Sequence, residues 1–508
     1  MFNLNSKRNW PFKKLFVVAI LSLIASFAQA QNWIGLSNSN YAGTNGMYLN
    51  PSSIVDSRNA GYINLFSGGF NAFNNYLYFN GEHSPIRYLN PSLSMNRNNF
   101  WENLNGKDKM GSISAELRGP SFMMNINPRH AIGFSLRSRS YIQGVNVSQP
   151  VARIMRWGIG SETPLFKEYE ASLDYSALYN QSTFNLMANS FVEAGLTYAA
   201  VLYDKKQHFL KGGVTYKRIA GLYTAYFKND GGSGVTTYSD DSMSFHNTNI
   251  SYGYVNETMY TGDEKPGFSQ LFGSDRMGKG HGFDLGFTYE YRPDHNSFRG
   301  NDEVNKYSLR LGASLMDVGQ IRYNSENVVN NNLSSSGDVY WGQMDSLKQP
   351  ATRGAGESYF TRYDNAVTKV FGTDGRSNEI VTKLPTAINL NADVRVKNNV
   401  YVNVMWLQGL HRKNAVGIRQ FGSLSVTPRF ESDWMEVAMP VSLNNGYRNL
   451  SVGAFIRFGA FFIGSDNISG LLKSSNVNGL DIYTGLVVPI FKRNKSARSI
   501  DGACAAFK

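Results

Sequence analysis

The sequence predicts an all-β protein, a transmembrane antiparallel β-barrel of about fourteen strands with long loops at one end and short turns at the other. Apolar and polar residues alternate with period two over long runs, as in strands with one apolar and one polar face. Short and long connections alternate along the chain, and Phe, Trp and Tyr make up 13% of the residues, which is typical of barrels with aromatic girdles. No run of about 18 apolar residues follows residue 30, which argues against helical membrane spans.

The alternation is clearest from Gly282 to Tyr323. Odd positions from 283 to 291 are apolar or aromatic, and the positions between them are polar or small. After a turn at 293–305, the same pattern resumes over 307–315. A soluble sheet of this length would need a second layer over its apolar face, and the sequence shows too few amphipathic helices to supply one. We therefore expect lipid on the apolar face and a polar lumen on the other.

The N-terminal 30 residues predict a signal peptide. Lys13 and Lys14 end a basic region, an apolar stretch runs from Leu15, and Ala28-Gln29-Ala30 is a small-residue cleavage site. We expect the mature chain to begin at Gln31 and to reach the bacterial outer membrane.

After the predicted cleavage near Ala30, the sequence predicts three regions. Residues 31–56 form an irregular segment, a candidate hatch, with breakers at Asn45-Gly46 and Asn50-Pro51. Residues 57–493 form the barrel, and 494–508 form a short periplasmic tail with the single cysteine, Cys504. The predicted strands are 60–70, 112–124, 130–143, 183–203, 208–227, 282–292, 306–322, 386–397, 400–408, 420–428, 434–442, 449–458, 460–466 and 480–491.

The connections predict the orientation. Short joins such as 204–207 and 398–399 alternate with long ones such as 144–182 and 228–281. Outer-membrane barrels have short periplasmic turns and long extracellular loops, so an even strand number puts both chain ends in the periplasm. Tyr289, Tyr291 and Tyr307 flank one short turn, where a periplasmic aromatic girdle is expected; ordinary β-propensity of Tyr is the alternative interpretation.

Three segments resemble a known group of barrels. Asn50-Pro51-Ser52, after Tyr41-Ala42-Gly43, resembles the "NPA" opening of FadL-like barrels, with Ser in place of the usual Ala. The segments 282–286 and 311–319 resemble a signature of Bacteroidetes barrels related to FadL and PorV, and 457–468 resembles a late hairpin of an uncharacterised family in that group.

This resemblance implies a FadL-like barrel of fourteen strands and leaves two functions open. FadL-type members carry small hydrophobic molecules, for which bound lipid in the barrel and a hatch at 31–56 are expected. PorV-type members scaffold or shuttle proteins, for which a lumen closed by side chains and a protein partner are expected. That partner would belong to type IX secretion, gliding or barrel assembly.

Two groups of residues are candidates for function. Ionisable residues on the predicted lumen face form either a structural ion-pair network or a gated polar pathway; they are Arg137, Glu193, Asp284, Glu290, Arg310, Asp393, Arg395 and Arg457. Apolar residues in two long loops form either a capture site at the outer mouth or the packing of the loops themselves; they are Ile154, Met155, Trp157, Phe268, Leu271 and Phe272.

Motifs of catalysis are missing from the sequence. The seven histidines lack the H-x-x-x-H spacing of metal sites, and neither a phosphate-binding loop nor a nucleophile elbow is visible. We therefore predict no enzyme activity, no metal and no cofactor. The formal charge of +12 is spread through the chain, so nucleic acid is not expected as a partner, whereas outer-membrane lipid or lipopolysaccharide is.

Overall fold

The computed structural model describes residues 33–90, 92–157, 183–231, 234–239, 242–246, 248–255, 278–293, 307–335, 339–340, 364–365, 368 and 374–491. The predicted signal peptide with its cleavage site at Ala30, the tail with Cys504, and Phe268, Leu271 and Phe272 lie outside these residues.

The described chain forms one closed barrel of fourteen antiparallel strands, in which each strand pairs with the next and the last pairs with the first. Closure leaves no edge strand with unpaired backbone groups, which a membrane requires. The strands are β1 (Asn59–Asn74), β2 (Lys109–Arg118 and Ser121–Asn127), β3 (His130–Val147), β4 (Phe184–Lys205), β5 (His208–Asn229), β6 (Thr248–Val255 and Gly278–Tyr291), β7 (Leu309–Asn324 and Val328–Ser335), β8 (Asp374–Ser377, Glu379–Lys383 and Ala387–Lys397), β9 (Val400–Gly409), β10 (Ser423–Glu431), β11 (Met435–Ala438 and Val441–Asn444), β12 (Asn449–Val452 and Ala454–Phe458), β13 (Phe461–Ser465) and β14 (Gly479–Phe491).

The fourteen predicted strands correspond one to one with these, although several predicted strands are too short. The first part of β6 was not predicted, because residues 256–277 separate it in sequence from the alternating run that begins at Gly278.

The two ends of the barrel differ. At the short-turn end, β2 joins β3 and β4 joins β5 through tight turns, and β1 begins and β14 ends there. At the long-loop end lie the strands Leu77–Phe79, Phe100–Glu102, Gly234–Ser239, Ser242–His246 and Val339–Tyr340, the 3-10 turns Pro85–Leu89 and Arg97–Asn99, and the helices α3 (Gln149–Trp157) and α4 (Ser469–Leu472). The N-terminal segment contains α1 (Ile34–Ser37), α2 (Thr44–Met47) and the 3-10 turn Pro51–Ile54. Among the described residues, no helix has the length and apolar character needed to cross a membrane.

The barrel exposes its apolar face and buries its polar face. On β6, the outward-facing Phe283 and Leu285 are 49% and 47% exposed. The residues that alternate with them point inward, and among these Asp284 and Glu290 are 2% and 3% exposed. A soluble sandwich would show the reverse. Apolar side chains outside and polar side chains inside are typical of a barrel that is surrounded by lipid and has a polar lumen. The protein is therefore a transmembrane β-barrel.

The predicted tyrosine girdle is partly wrong. Tyr289 and Tyr291 lie on the outer face at the short-turn end, where their hydroxyl groups bond His208 and Gln207. Tyr307 instead points into the lumen, is almost fully buried and donates a hydrogen bond to the Asp393 carboxylate. It precedes β7 rather than lying on it, so the alternation of the strand does not fix its direction.

Leu285→Arg is expected to destabilise the folded barrel by about 2–4 kcal/mol, because it places a charge near the middle of the lipid-facing side of β6. Urea unfolding in lipid bilayers measures this, and Leu285→Ala controls for loss of the side chain alone. An equal effect of the two variants would contradict the assignment of this face to lipid.

Candidate functional site

The N-terminal segment fills the short-turn half of the lumen. We call residues 33–57 the plug. Trp33, Leu36, Thr44, Asn45 and Ser52 are inaccessible to solvent, although none of them belongs to a strand. The plug is therefore an interior part of the barrel.

The Asn50-Pro51 motif seats the plug against β5 and β6. The Asn50 side chain accepts a hydrogen bond from the Ser52 N–H at 3.0 Å, which starts the 3-10 turn, and donates to the carbonyl of Phe287 at 3.0 Å. The wall is bare here because Gly213 and Gly286 face each other across the two strands. A Cβ atom at Gly286 would lie 2.1 Å from the Asn50 Oδ1, so only glycine leaves room for the plug.

Charged groups bind the plug at no fewer than six points around the wall. Most of the partners on the plug are backbone groups or amide side chains, whose positions are fixed by the short helical turns. The contacts run from the Ile34 N–H to Asp466, from Asn40 to Glu431, from Arg118 to Asn45, from Lys211 to the Val55 carbonyl, from Arg292 to Asp56 and from Arg310 to the Asn38 carbonyl, at 2.6–3.1 Å.

A charged layer lies between the plug and the long-loop half of the lumen. It consists of Arg137, Arg139, Glu193, Lys217, Asp284 and Asp317, contributed by five strands. The Asp317 carboxylate forms ion pairs with the Arg139 Nη1 at 2.7 Å and with the Lys217 Nζ at 2.6 Å. The Lys217 Nζ also lies 2.7 Å from the Asp284 carboxylate. Three cations thus face three carboxylates, so the layer is balanced without an added ion.

A β-bulge explains why Asp317 belongs to this layer. Its φ of +54° and the register shift opposite Phe283 and Leu285 insert one extra residue into β7. Strict alternation would direct Asp317 to lipid, but the bulge turns it inward. There its N–H donates to the Asp284 carboxylate at 2.7 Å.

The structure places the other predicted lumen residues as follows. Glu290 pairs with Lys211 and Arg292, and Arg310 pairs with Asp393. Arg457 lies 3.4 Å from Glu436. Arg395 is half-buried near the short-turn end, where its backbone N–H donates to the Ser308 carbonyl. The prediction omitted further charged residues of the lumen, namely Glu116, Arg118, Arg139, Asp317, Arg429, Glu431 and Glu436; for all but Asp317, the alternation of their strands was the available signal.

An apolar cavity of about 910 Å³ lies on the outer face of the wall near the long-loop end. We call it the wall cavity. Its floor is a row of directly paired residues across seven strands, which therefore share one face of the sheet. The row is Leu480, Ala72, Ile113, Ile142, Ala188, Ala225 and Tyr254. Alanine at three of these positions, with Gly111 and Gly144 in the next row, makes a hollow in an otherwise bulky surface.

Loop residues roof the wall cavity. Phe79 and Phe100 come from the two paired loop strands Leu77–Phe79 and Phe100–Glu102. Met95 comes from the long connection between these strands, and Met155 comes from α3. Glu102 holds this roof together, because it accepts hydrogen bonds from Tyr76 and from the Trp157 Nε1 at 3.0 Å. Burial and the bond to Glu102 raise the pKa of the Tyr76 hydroxyl, so Tyr76 remains a donor.

The predicted loop residues fall into different places. Met155 lines the wall cavity, Trp157 braces the roof, and Ile154 is half-buried in α3 outside the cavity lining. The cavity lies beside the wall and not at the mouth of the lumen. The sequence analysis missed its floor, because recognising small residues as neighbours requires the register of the strands.

One nitrogen of the Arg156 guanidinium at the wall cavity lacks a hydrogen-bond partner among the described residues. The Arg156 Nη2 donates to the Phe100 carbonyl at 2.6 Å, and its guanidinium stacks on Trp157. Its Nη1 is buried and has no hydrogen-bond partner among the described residues. No acidic residue lines the cavity in the described part of the chain.

Residues 51–466 match the model of a family of unknown function, DUF5723. The chain belongs to this family. The match begins at Pro51, within the plug, and ends just after β13. The comparison with curated proteins found no match. The more specific relation to FadL and PorV stays a prediction.

Solved barrels show a distant likeness to this member of the family. The toluene transporter TbuX of Ralstonia pickettii is 10% identical over 89% of this chain and 94% of its own, with a TM-score of 0.39. A FadL homologue of Pseudomonas aeruginosa is 9% identical over 91% and 97%, also with a TM-score of 0.39. At these values the likeness supports no inference about what the chain binds.

Within the described residues, no group of three or more His, Cys, Asp or Glu side chains is arranged to hold a metal ion.

Gly286→Ala is expected to displace the plug, because the new methyl group overlaps Asn50. Overpacking of this kind costs about 1–3 kcal/mol. Limited proteolysis should then cut within residues 33–57 while the unheated barrel keeps its compact electrophoretic mobility. Gly61→Ala is the matched control, since its Cβ would meet atoms at an ordinary 3.4 Å. Equal protease resistance of both variants would contradict this seat for the plug.

Asp317→Asn is expected to reduce the free energy of unfolding by about 3–5 kcal/mol, because it leaves buried cations without their partner. The control is Glu379→Gln, whose partner Arg322 is 56% exposed and whose loss should cost about 1 kcal/mol or less. Denaturant titration in detergent micelles compares the two. Similar losses would show that the charged layer does not depend on Asp317.

Proposed function

We propose that the protein is a non-enzymatic outer-membrane barrel that binds a small hydrophobic molecule in the wall cavity. The apolar cavity carries this proposal. The exposed apolar belt, the even strand number and the position of β1 and β14 at the short-turn end support an outer-membrane location with that end in the periplasm.

The shape of the wall cavity suits a ligand of modest size. Its volume of about 910 Å³ falls within the range of about 300–1,000 Å³ that is common for small-molecule sites. Apolar side chains form both floor and roof, so burial of an apolar ligand would be favourable by about 25 cal/mol per Å². The floor faces the lipid side, so an apolar ligand would enter from the outer leaflet.

Arg156 adds a polar feature to this ligand. Its side chain lines the cavity, and its buried Nη1 has no hydrogen-bond partner among the described residues. A ligand with one hydrogen-bond acceptor at the end of a hydrocarbon body would bury its apolar part against the floor and reach the guanidinium once the Arg156 side chain turned toward the cavity. We therefore propose an amphiphilic rather than a purely hydrocarbon ligand.

Passage of this ligand through the lumen is not part of the proposal, because the buried plug fills the short-turn half of the lumen.

A second candidate function is a scaffold for an outer-membrane protein complex. The packing of the lumen favours it, because two chambers that border the plug measure about 60 Å³ each. Affinity purification from native membranes, with mass spectrometry of proteins and lipids together, separates the candidates. A stoichiometric protein partner without a bound amphiphile would favour the scaffold.

Ala188→Trp is expected to weaken binding of a fluorescent amphiphile such as 1-aminoanthracene about tenfold or more, equivalent to about 1.4 kcal/mol, because the indole fills the cavity floor. Ala392→Trp is the matched control, because Ala392 pairs with lipid-facing Leu311 on a different part of the wall. Fluorescence titration of both purified barrels measures the affinity. Unchanged binding by Ala188→Trp would remove the wall cavity as the site.

A further inference from the structure

The connection between β9 and β10 enters the lumen from the long-loop end. We call residues 410–422 the strap. The Gln143 side chain on β3 clamps it twice, accepting from the Arg419 N–H at 2.9 Å and donating to the Arg419 carbonyl at 3.0 Å. The Asn185 side chain on β4 donates to the carbonyls of Lys413 and Ala415 at 3.0 and 3.3 Å.

The strap crosses the barrel from one side to the other. It starts and ends at β9 and β10, whereas Gln143 and Asn185 lie on β3 and β4, five to seven strands away in a ring of fourteen. The backbone of Gly417 in the strap pairs with Lys383 of β8. The ring of Phe421 packs edge-on against Phe73 of β1, with the ring centroids 5.1 Å apart. These contacts reach the wall on opposite sides of the lumen.

Apolar packing closes the space around the strap. Ile418 is 1% exposed and belongs to a cluster of buried lumen residues, which includes Tyr141, Met187, Phe191, Ile219 and Tyr323. The Gly417 N–H also points at the Met187 sulfur, at 3.1 Å. The strap is therefore packed into the lumen and not laid over its rim.

The strap and the plug are held by different parts of the wall. The strap binds Gln143, Asn185 and Lys383, none of which belongs to the six contacts of the plug. A chamber of about 60 Å³ lies between Ile34 of the plug and residues 419–421 of the strap. Each of the two segments can therefore leave its seat without breaking the wall contacts of the other.

We propose that the strap is a second seal of the lumen, independent of the plug and the more readily released of the two. Apart from one long contact of 3.5 Å from the Lys228 Nζ to the Asn414 carbonyl, its anchors are neutral hydrogen bonds and apolar contacts, whereas six anchors of the plug involve charged groups. Charged hydrogen bonds are about twice as strong as neutral ones. A solute that crosses the barrel must displace both seals. This inference does not depend on a ligand in the wall cavity.

Cysteine labelling tests the seal on the full chain. In a Cys504→Ser background, Asn189→Cys places a thiol on the lumen face of β4, four residues below the strap anchor Asn185. With a membrane-impermeant maleimide added outside intact cells, we expect labelling at least tenfold slower than that of Lys413→Cys, which lies exposed on the strap. Adding Gln143→Ala and Asn185→Ala should remove most of this difference.

Two results would overturn the proposal. One is equally fast labelling of Asn189→Cys and Lys413→Cys with the strap anchors intact. The other is labelling that Gln143→Ala and Asn185→Ala leave unchanged. Thr224→Ala is the matched control, because Thr224 is a buried lumen residue in the same half and its hydroxyl donates to the wall carbonyl of Ala188 at 3.5 Å. This variant should not alter labelling.

Conductance in planar bilayers tests the independence of the two seals. Variants with either a displaced plug (Gly286→Ala) or a released strap (Gln143→Ala with Asn185→Ala) should stay closed, and their combination should conduct in steps. Proteolysis confirms beforehand that the plug has left its seat. Steps from the plug variant alone, or a combined variant that stays closed, would contradict two independent seals.

Discussion

The structure depends on the neutralisation of charges within a lumen that has little room for water. A carboxylate or guanidinium buried alone costs several kcal/mol, and a partner at hydrogen-bond distance offsets that cost. In the charged layer, Arg139, Lys217 and Asp317 meet from three different strands. The strands therefore cannot shift in register without separating charges, which makes the lumen a rigid element.

The same constraint explains the plug. Lys211, Arg292 and Arg310 point into the short-turn half of the lumen, where wall carboxylates alone do not complete their hydrogen bonds. The plug supplies carbonyls and a carboxylate at these places, so it replaces the water that a wider pore would hold. Its small turns present backbone groups inward because Asn50 and the facing glycines Gly213 and Gly286 let the chain approach the wall.

The outer and inner faces of the barrel wall thus differ in the space that they offer to a ligand. Inside, two chambers that border the plug measure about 60 Å³ each. Outside, small residues such as Ala72, Ala188 and Ala225 leave a hollow that loops can roof. The wall cavity on the lipid side offers about 910 Å³ of apolar space, whereas a change in the lumen needs a change in the two segments that seal it.

The amino-acid sequence by itself determined the class of the fold. Period-two alternation and the contrast of short and long joins were sufficient for a barrel of fourteen strands, because both are local properties of strands between lipid and a polar lumen. They also assigned Arg137, Glu193, Asp284 and Glu290 to the lumen face, where the structure has them buried.

Only the tertiary structure decided which of these residues meet and where a ligand has room. The bulge turns Asp317 inward against the alternation, and Tyr307 points inward because it lies outside its strand. The floor of the wall cavity joins Ala72 to Ala188 and Ala225 through the register of neighbouring strands. Alternation specifies the face of each residue but not its neighbours, because neighbours in a sheet are set by pairing between segments distant in the chain.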